Sequence, residues 1–209
     1  GCGTGRVLLP LAKAGFHTVG LDNDLGMLLI LRAMQTPDLE PAPLLFAANL
    51  LEFHLAQRFS LVLLPCNTWS VLDASQRRQA LACITHHMAP GGVFAASMPN
   101  PEFLRDLPTS SEVDIDEIFI HPVTGNPVQV SSSWQRTRHC FTVTWHYDHL
   151  LPDGQVERLT VQSLHDLTPA EVYLEELRQA EMHIQAVYGE YDGSPADRWA
   201  ANLIFVASI

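Results

Sequence analysis

The chain opens Gly1-Cys2-Gly3-Thr4-Gly5 and runs straight into an apolar stretch, residues 6–14 (RVLLPLAKA), that stops at Gly15. Glycine permits positive φ and lets a backbone approach a ligand closely. A helix that follows at once turns its N-terminal amides toward the same place. A loop of this kind belongs at the first βα turn of a doubly wound layer, so it constrains the rest of the chain to an α/β plan. The dinucleotide fingerprint Gly-x-Gly-x-x-Gly would need glycine at Arg6 or at Leu8, depending on where counting starts. The spacing is Gly-x-Gly-x-Gly, which argues against an NAD-type fold.

The next hundred residues alternate as that plan requires. Residues 6–14 read as a helix in which Pro10 is tolerated only near the first turn. Residues 17–21 read as a short buried strand closed by Asp22. A helix over 25–35 follows, with Asp24 placed to cap it. The proline-rich loop 36–43 ends it, and residues 44–48 form a third strand. Residues 60–64 are wholly apolar and are expected to lie centrally in a parallel sheet. A helix over 75–88 ends at the Pro90-Gly91-Gly92 turn, and residues 93–98 form a fifth strand.

The pattern then changes. Residues 99–124 are rich in proline and acidic side chains and read as a connecting segment. Three alternating stretches, 127–137, 139–150 and 155–165, follow, with Pro152-Asp153-Gly154 turning the last two into a hairpin. A helix over 169–180 and strands near 182–188 and 202–208 complete the chain. The expected fold is therefore α/β: a Rossmann-like, doubly wound, mostly parallel sheet with an antiparallel β insertion after the fifth strand. The expected organisation is a core over 1–100, the insertion over 101–166 and a closing segment over 167–209.

These features together resemble the class I S-adenosylmethionine (SAM)-dependent methyltransferases. The Gly-x-Gly-x-Gly loop matches the family's first motif, which packs on the methionine part of the cofactor. Asp22 stands where a carboxylate can accept from both ribose hydroxyls. Ala89-Pro90-Gly91-Gly92 is a familiar structural turn of the family. The resemblance implies that Gly1, Cys2, Gly3, Gly5, Asp22, Asn23, Met27, Asn49 and Leu50 hold the cofactor, with Cys66 and Asn67 near its sulfonium. Asn49 occupies a place that is commonly acidic. Pro65-Cys66-Asn67-Thr68-Trp69 departs from the Asn-Pro-Pro-Tyr type found in many nucleic-acid and protein amide methyltransferases, which favours a small-molecule acceptor. Core packing is the alternative for Met27 and for Trp69. The resemblance also implies a further strand before Gly1 and a natural chain longer at its N-terminus.

The insertion is expected to cover the substrate, as in small-molecule methyltransferases of the glycine, sarcosine and amino-sugar type. Alternation puts Phe141, Val143, Trp145, Tyr147 and His149 on one face of their strand, and on residues 127–137 it gives the set Val128, Val130, Ser132, Trp134 and Arg136. Val130-Ser131-Ser132-Ser133 resembles amino-sugar N-methyltransferases, with Ser132 where those place a histidine base. His146, His149 and His165 are the substitute candidates for a general base. A polar histidine on an exposed strand is the other reading of each. Ten histidines show no zinc-like spacing, so no metal is expected.

The net charge of -11, with Lys13 the single lysine, leaves no basic face for phosphates, so a nucleic-acid partner is not expected. No run of about 20 apolar residues is present, so no membrane span is expected. Four cysteines without a CxxC pair suggest reduced thiols and a cytoplasmic location. The sequence leaves the acceptor and the oligomeric state open. An NAD-type oxidoreductase, or a SAM-binding protein without catalysis, are the alternatives to a methyltransferase.

Overall fold

The computed structural model describes residues 1–209. In chain order it has α1 (Leu8–Lys13), β1 (Val19–Asp22), α2 (Leu25–Met34), β2 (Leu44–Ala47), β3 (Phe59–Leu64), α3 (Ala74–His86) and β4 (Met88–Pro99). Then come α4 (Pro101–Asp106), β5 (Asp114–Ile120), β6 (Pro127–Arg136), β7 (Cys140–Leu150), β8 (Val156–Asp166), α5 (Ala170–Gln179), β9 (His183–Tyr188) and β10 (Asn202–Ser208). The chain divides into two compact units, residues 1–100 with 170–209, and residues 101–169.

The first unit is Rossmann-like α/β with mixed sheets. β1 and β2 pair in parallel, and β3, β4, β10 and β9 form a second sheet in that order. Of its pairings only β3 with β4 is parallel; β10 runs antiparallel to both β4 and β9. A mostly parallel sheet is therefore corrected to a mixed one, because the chain re-enters through β9 and β10, which are joined by a loop rather than by a crossover helix. β3 lies at the edge of its sheet rather than in the middle, and Leu61 and Leu63 on it are exposed. Phe59, Val62, Leu63 and Leu64 of β3 line a cavity. The Pro90-Gly91-Gly92 turn proves to be a break of register inside β4, with Gly91 at φ +73°.

Local chemistry explains the helices. Asp24 caps α2 by accepting from Met27 N at 3.1 Å. Asp73 and Gln76 form a reciprocal capping box at the start of α3, which satisfies two otherwise orphan amides. The core gathers on Trp69, whose ring meets Phe94, Tyr173 and Phe205 edge-to-face at 5.6, 5.3 and 5.3 Å. Trp69 is 1% exposed, so it packs the core and does not line a site. Arg77 of α3 and Glu176 of α5 form a buried bidentate pair at 2.7 and 2.9 Å, with the guanidinium 4.5 Å from the Tyr173 ring centroid.

The second unit is a four-stranded antiparallel sheet in the order β5-β6-β7-β8, with α4 beside it in sequence. The segment 99–124 is thus corrected from a plain connection: it contains α4 and β5. β5 reads Asp-Ile-Asp-Glu-Ile-Phe-Ile and every residue of it is exposed, so no inward alternation marked it as a strand. β7 and β8 form the expected hairpin, closed by Leu151 N on Gln155 O at 2.8 Å. Val128, Val130, Ser132, Trp134 and Arg136 stand directly opposite His149, Tyr147, Trp145, Val143 and Phe141, so these ten residues share one face. A small cluster of Leu104, Phe141 and Leu167, flanked by Trp134, anchors this unit. No helix of the chain is long and apolar enough to cross a membrane.

Candidate functional site

The glycine loop is shaped by its own hydrogen bonds. Cys2 N donates to Leu21 O and Gly5 N to Cys2 O, both at 3.0 Å, which folds the loop against the end of β1. Gly3 and Gly5 have φ of +52° and +89°, values that side chains rarely tolerate. The Asp22 carboxylate locks the turn: Oδ2 accepts from Gly3 N at 2.7 Å and Oδ1 from Asp24 N at 3.0 Å. Asp22 is 8% exposed, yet each oxygen retains a lone pair for a further donor.

Above this loop lies a cavity of about 650 Å³, within the usual range for small-molecule sites. Gly1, Cys2, Gly3 and Thr4 form one wall, and Met27 and Leu50 another. Cys66 and Asn67, from the turn after β3, contribute a third. The cavity continues along β1 and β3, past Leu21 and Leu63. Its lining is chiefly apolar with a few polar groups, as small-molecule sites commonly are.

Cys66 and Asn67 are consecutive non-glycine residues at positive φ, 59° and 67°. Such conformations cost about 1–3 kcal/mol each and persist only where surroundings over-determine them. Here Cys66 N donates to Ser97 Oγ and Asn67 N to Ser97 O, both at 3.2 Å. Asn67 O accepts from Ser70 N at 3.1 Å and from Ser70 Oγ at 2.8 Å. Tyr191, which also lines the cavity, donates its hydroxyl to Ser97 Oγ at 2.9 Å.

Seven of the eleven residues expected to hold a cofactor thus line one cavity: Gly1, Cys2, Gly3, Met27, Leu50, Cys66 and Asn67. Gly5, Asp22, Asn23 and Asn49 do not line it. Gly5 packs against Leu31 and Leu9, and the Asp22 carboxylate accepts from the loop amide of Gly3. Asn49 is exposed and turned inward on its own backbone: Oδ1 accepts from Leu51 N at 3.0 Å, and Nδ2 reaches Glu52 at 3.4 Å. Asn23 is exposed. Sequence reasoning missed Ser97, Tyr191 and His87. Ser97 and Tyr191 are 94 positions apart, and no local pattern joins them.

The three histidine candidates all belong to the second unit, and each has a local partner. His146 Nδ1 is 2.9 Å from Thr160 Oγ1. His149 Nε2 is 2.9 Å from Thr124 Oγ1, and its ring stacks on His121 at 5.0 Å. Ser132 Oγ donates to Asp116 Oδ1 at 3.0 Å. His165 is 6% exposed and 3.0 Å from Ser163 Oγ, and burial pushes its pKa below the ordinary imidazole value of 6.5. The unfolded chain therefore binds the extra proton first as pH falls. Stability is unaffected by this group above pH 6.5 and declines as pH drops below it toward the lower folded value. Thermal unfolding between pH 8 and 5 should show that decline, and His165→Gln should flatten it; an unchanged slope in the variant would contradict this assignment. No group of three or more metal-ligating side chains is gathered in a way that could hold an ion.

Residues 1–92 match a family model described as a methyltransferase domain. Curated protein sequences give no significant match. Among solved structures, an S-adenosylmethionine-dependent methyltransferase from Clostridium acetobutylicum ATCC 824 superposes with a TM-score of 0.84 at 13% identity, over 100% of this chain and 81% of that one. A SAM-bound amino pentose methyltransferase from Micromonospora echinaspora gives 0.75 at 23% identity, over 100% and 80%. A sugar N-methyltransferase from Streptoalloteichus sp ATCC 53650 gives 0.78 at 19% identity, over 98% and 76%. The first 92 residues are thus similar to a methyltransferase domain, and the chain shares its fold with these S-adenosylmethionine-dependent methyltransferases.

Proposed function

We propose that the protein binds SAM in the cavity above the glycine loop and transfers its methyl group to a nitrogen or oxygen of a small molecule. One observation carries this reading: the glycine loop, Met27, Leu50 and the strained Cys66–Asn67 turn converge on a single cavity although they are spread over 67 positions. In this reading Gly1 and Gly3 give the methionine part backbone contact, and Asp22 orders the loop and accepts from the ribose. Met27 and Leu50 pack on the adenine. Cys66 and Asn67 face the reactive end, and Asn49 and Asn23 act at the rim.

Bound SAM supplies an electrophilic methyl on a sulfonium, open to in-line attack by a lone pair. The chain's own contribution is positioning and exclusion of water, which can supply much of the acceleration. A neutral amine needs no base in the transfer step itself. With Ser132 engaged by Asp116 and no histidine at that position, an unprotonated amine is the acceptor that this chain serves best. Amino sugars head the candidates, because two of the structurally similar enzymes are described as acting on an amino pentose or at a sugar nitrogen. The antiparallel sheet of residues 114–166 is, in this reading, an insertion that selects the acceptor.

The test is formation of S-adenosylhomocysteine (SAH) from SAM across a panel of amino sugars, amino acids, small amines and phenols. Turnover limited to amines supports the reading. Tight SAH binding with no turnover on any class would instead support a binding protein without catalysis. Asp22→Asn probes the cofactor half alone. The amide replaces one acceptor oxygen by an NH2 facing a backbone N–H, and charge-assisted bonds are worth about 1.5–3 kcal/mol. SAH affinity by calorimetry should fall roughly 10- to 100-fold; affinity equal to wild type would remove Asp22 from the site.

A further inference from the structure

We infer that His87 is a positioning residue for the cofactor: from the end of α3 it fixes the backbone of residues 50–55 where that segment walls the cavity, and it does so as the neutral tautomer protonated on Nδ1. The inference rests on the reading of the cavity as a SAM site.

His87 follows the last residue of α3 and is 2% exposed. Its Nδ1 lies 2.7 Å from Cys83 O, a carbonyl of the last helical turn. Its Nε2 lies 2.9 Å from Leu55 N. A carbonyl only accepts and a backbone N–H only donates. Nδ1 must therefore carry the proton, and Nε2 must offer its lone pair. A proton on Nε2 would set two donors against each other.

The rest of the contact works on the same segment. The Phe53 ring stacks on His87 with centroids 4.4 Å apart. Cys83 Sγ donates to Leu51 O at 3.1 Å, and His87 O accepts from Phe59 N at 2.7 Å. Leu50, Phe53, Leu55 and His87 all line the cavity. Residues 50–55 lie outside every helix and strand, so no ladder of backbone bonds holds them. One imidazole at the helix end takes that role at Leu55, and the course of the wall that leads back to Leu50 depends on it.

The experiment measures SAH binding by calorimetry and hydrogen exchange at the Leu55 amide, for wild type, His87→Leu and His87→Gln. Leucine fills space but offers no acceptor. The glutamine amide can accept from Leu55 N and donate to Cys83 O. His87→Leu should weaken SAH at least about tenfold and speed exchange at Leu55, and His87→Gln should recover most of both. Folded His87→Leu that binds SAH as tightly as wild type, with only a lower melting temperature, would overturn the inference and leave a purely structural histidine. If His87→Leu does not fold, the ring nitrogen spectrum of wild type decides: an Nε2-protonated ring would overturn it, and an Nδ1-protonated ring bonded to the Leu55 amide would support it. Wild type that binds no SAH would remove the SAM reading itself, a result distinct from wild type that binds while His87 is indifferent.

Discussion

Gly5→Ala should cost the protein roughly 2–5 kcal/mol of stability and abolish measurable SAH binding. Two effects add. Gly5 sits at φ +89°, where an L side chain pays about 1–2 kcal/mol. A Cβ there would lie 2.3 Å from Leu31 Cδ1 and 3.1 Å from Leu9 Cγ. Leu31 is 0% exposed and Leu9 is 8%, so neither can swing into solvent, and overpacking adds about 1–3 kcal/mol. Relief can come only by lifting the loop away from α1 and α2, and that loop is a wall of the cavity. Gly3→Ala is the internal comparison. Its φ is +52° and a Cβ would meet nothing within 4 Å, so only the backbone cost applies. Denaturant midpoints for the two variants check the contrast; equal losses would mean that contact with Leu31 is not the cause.

Arg77→Met should cost about 3–5 kcal/mol, because it strands the Glu176 carboxylate where only 6% of it meets solvent. For a chain of this size that is a fall of roughly 6–20 °C in melting temperature. The double variant Arg77→Met with Glu176→Leu should regain most of the loss, since two apolar side chains can replace a buried pair at little net cost. Arg77 Nη1 also donates to Leu72 O at 2.8 Å, so the recovery should be incomplete. Calorimetric scans of the three proteins test this. A double variant no better than Arg77→Met would show that the lost Leu72 bond and cation–π contact, rather than the stranded charge, dominate.

What the sequence revealed was whatever short-range chemistry writes. The Gly-x-Gly-x-Gly spacing, Asp24 before α2, and Pro152-Asp153-Gly154 between two alternating runs each act over a few residues, and each structure is where those signals put it. The cavity wall at Cys66 and Asn67 was reached through the family resemblance. The strain that distinguishes it, two successive positive φ values, has no glycine to announce it.

What stayed hidden depends on distance or on missing contrast. The Arg77–Glu176 pair spans 99 positions, and a charged residue on a helix reads as surface unless its partner is known. β5 carries no buried face, so composition outweighed its isoleucines. β3 is apolar throughout, as a strand paired on both sides would be, and within residues 1–209 only its β4 side is paired. Asn49 follows β2, and like many short polar side chains after a strand it bonds its own backbone at Leu51 N, a local contact that the family resemblance does not indicate. Nothing local in the sequence points from His87 to Leu55, 32 positions earlier.

The most direct measurement is thermal unfolding of the wild-type protein with SAH and, separately, with NADH, each near 100 times an expected dissociation constant. A true ligand at that level stabilises by about 2.7 kcal/mol, which for a chain of this size is roughly 5–10 °C. SAH should give that rise and NADH none. A rise with NADH alone, or with neither, would contradict the assignment of the glycine-loop cavity to SAM.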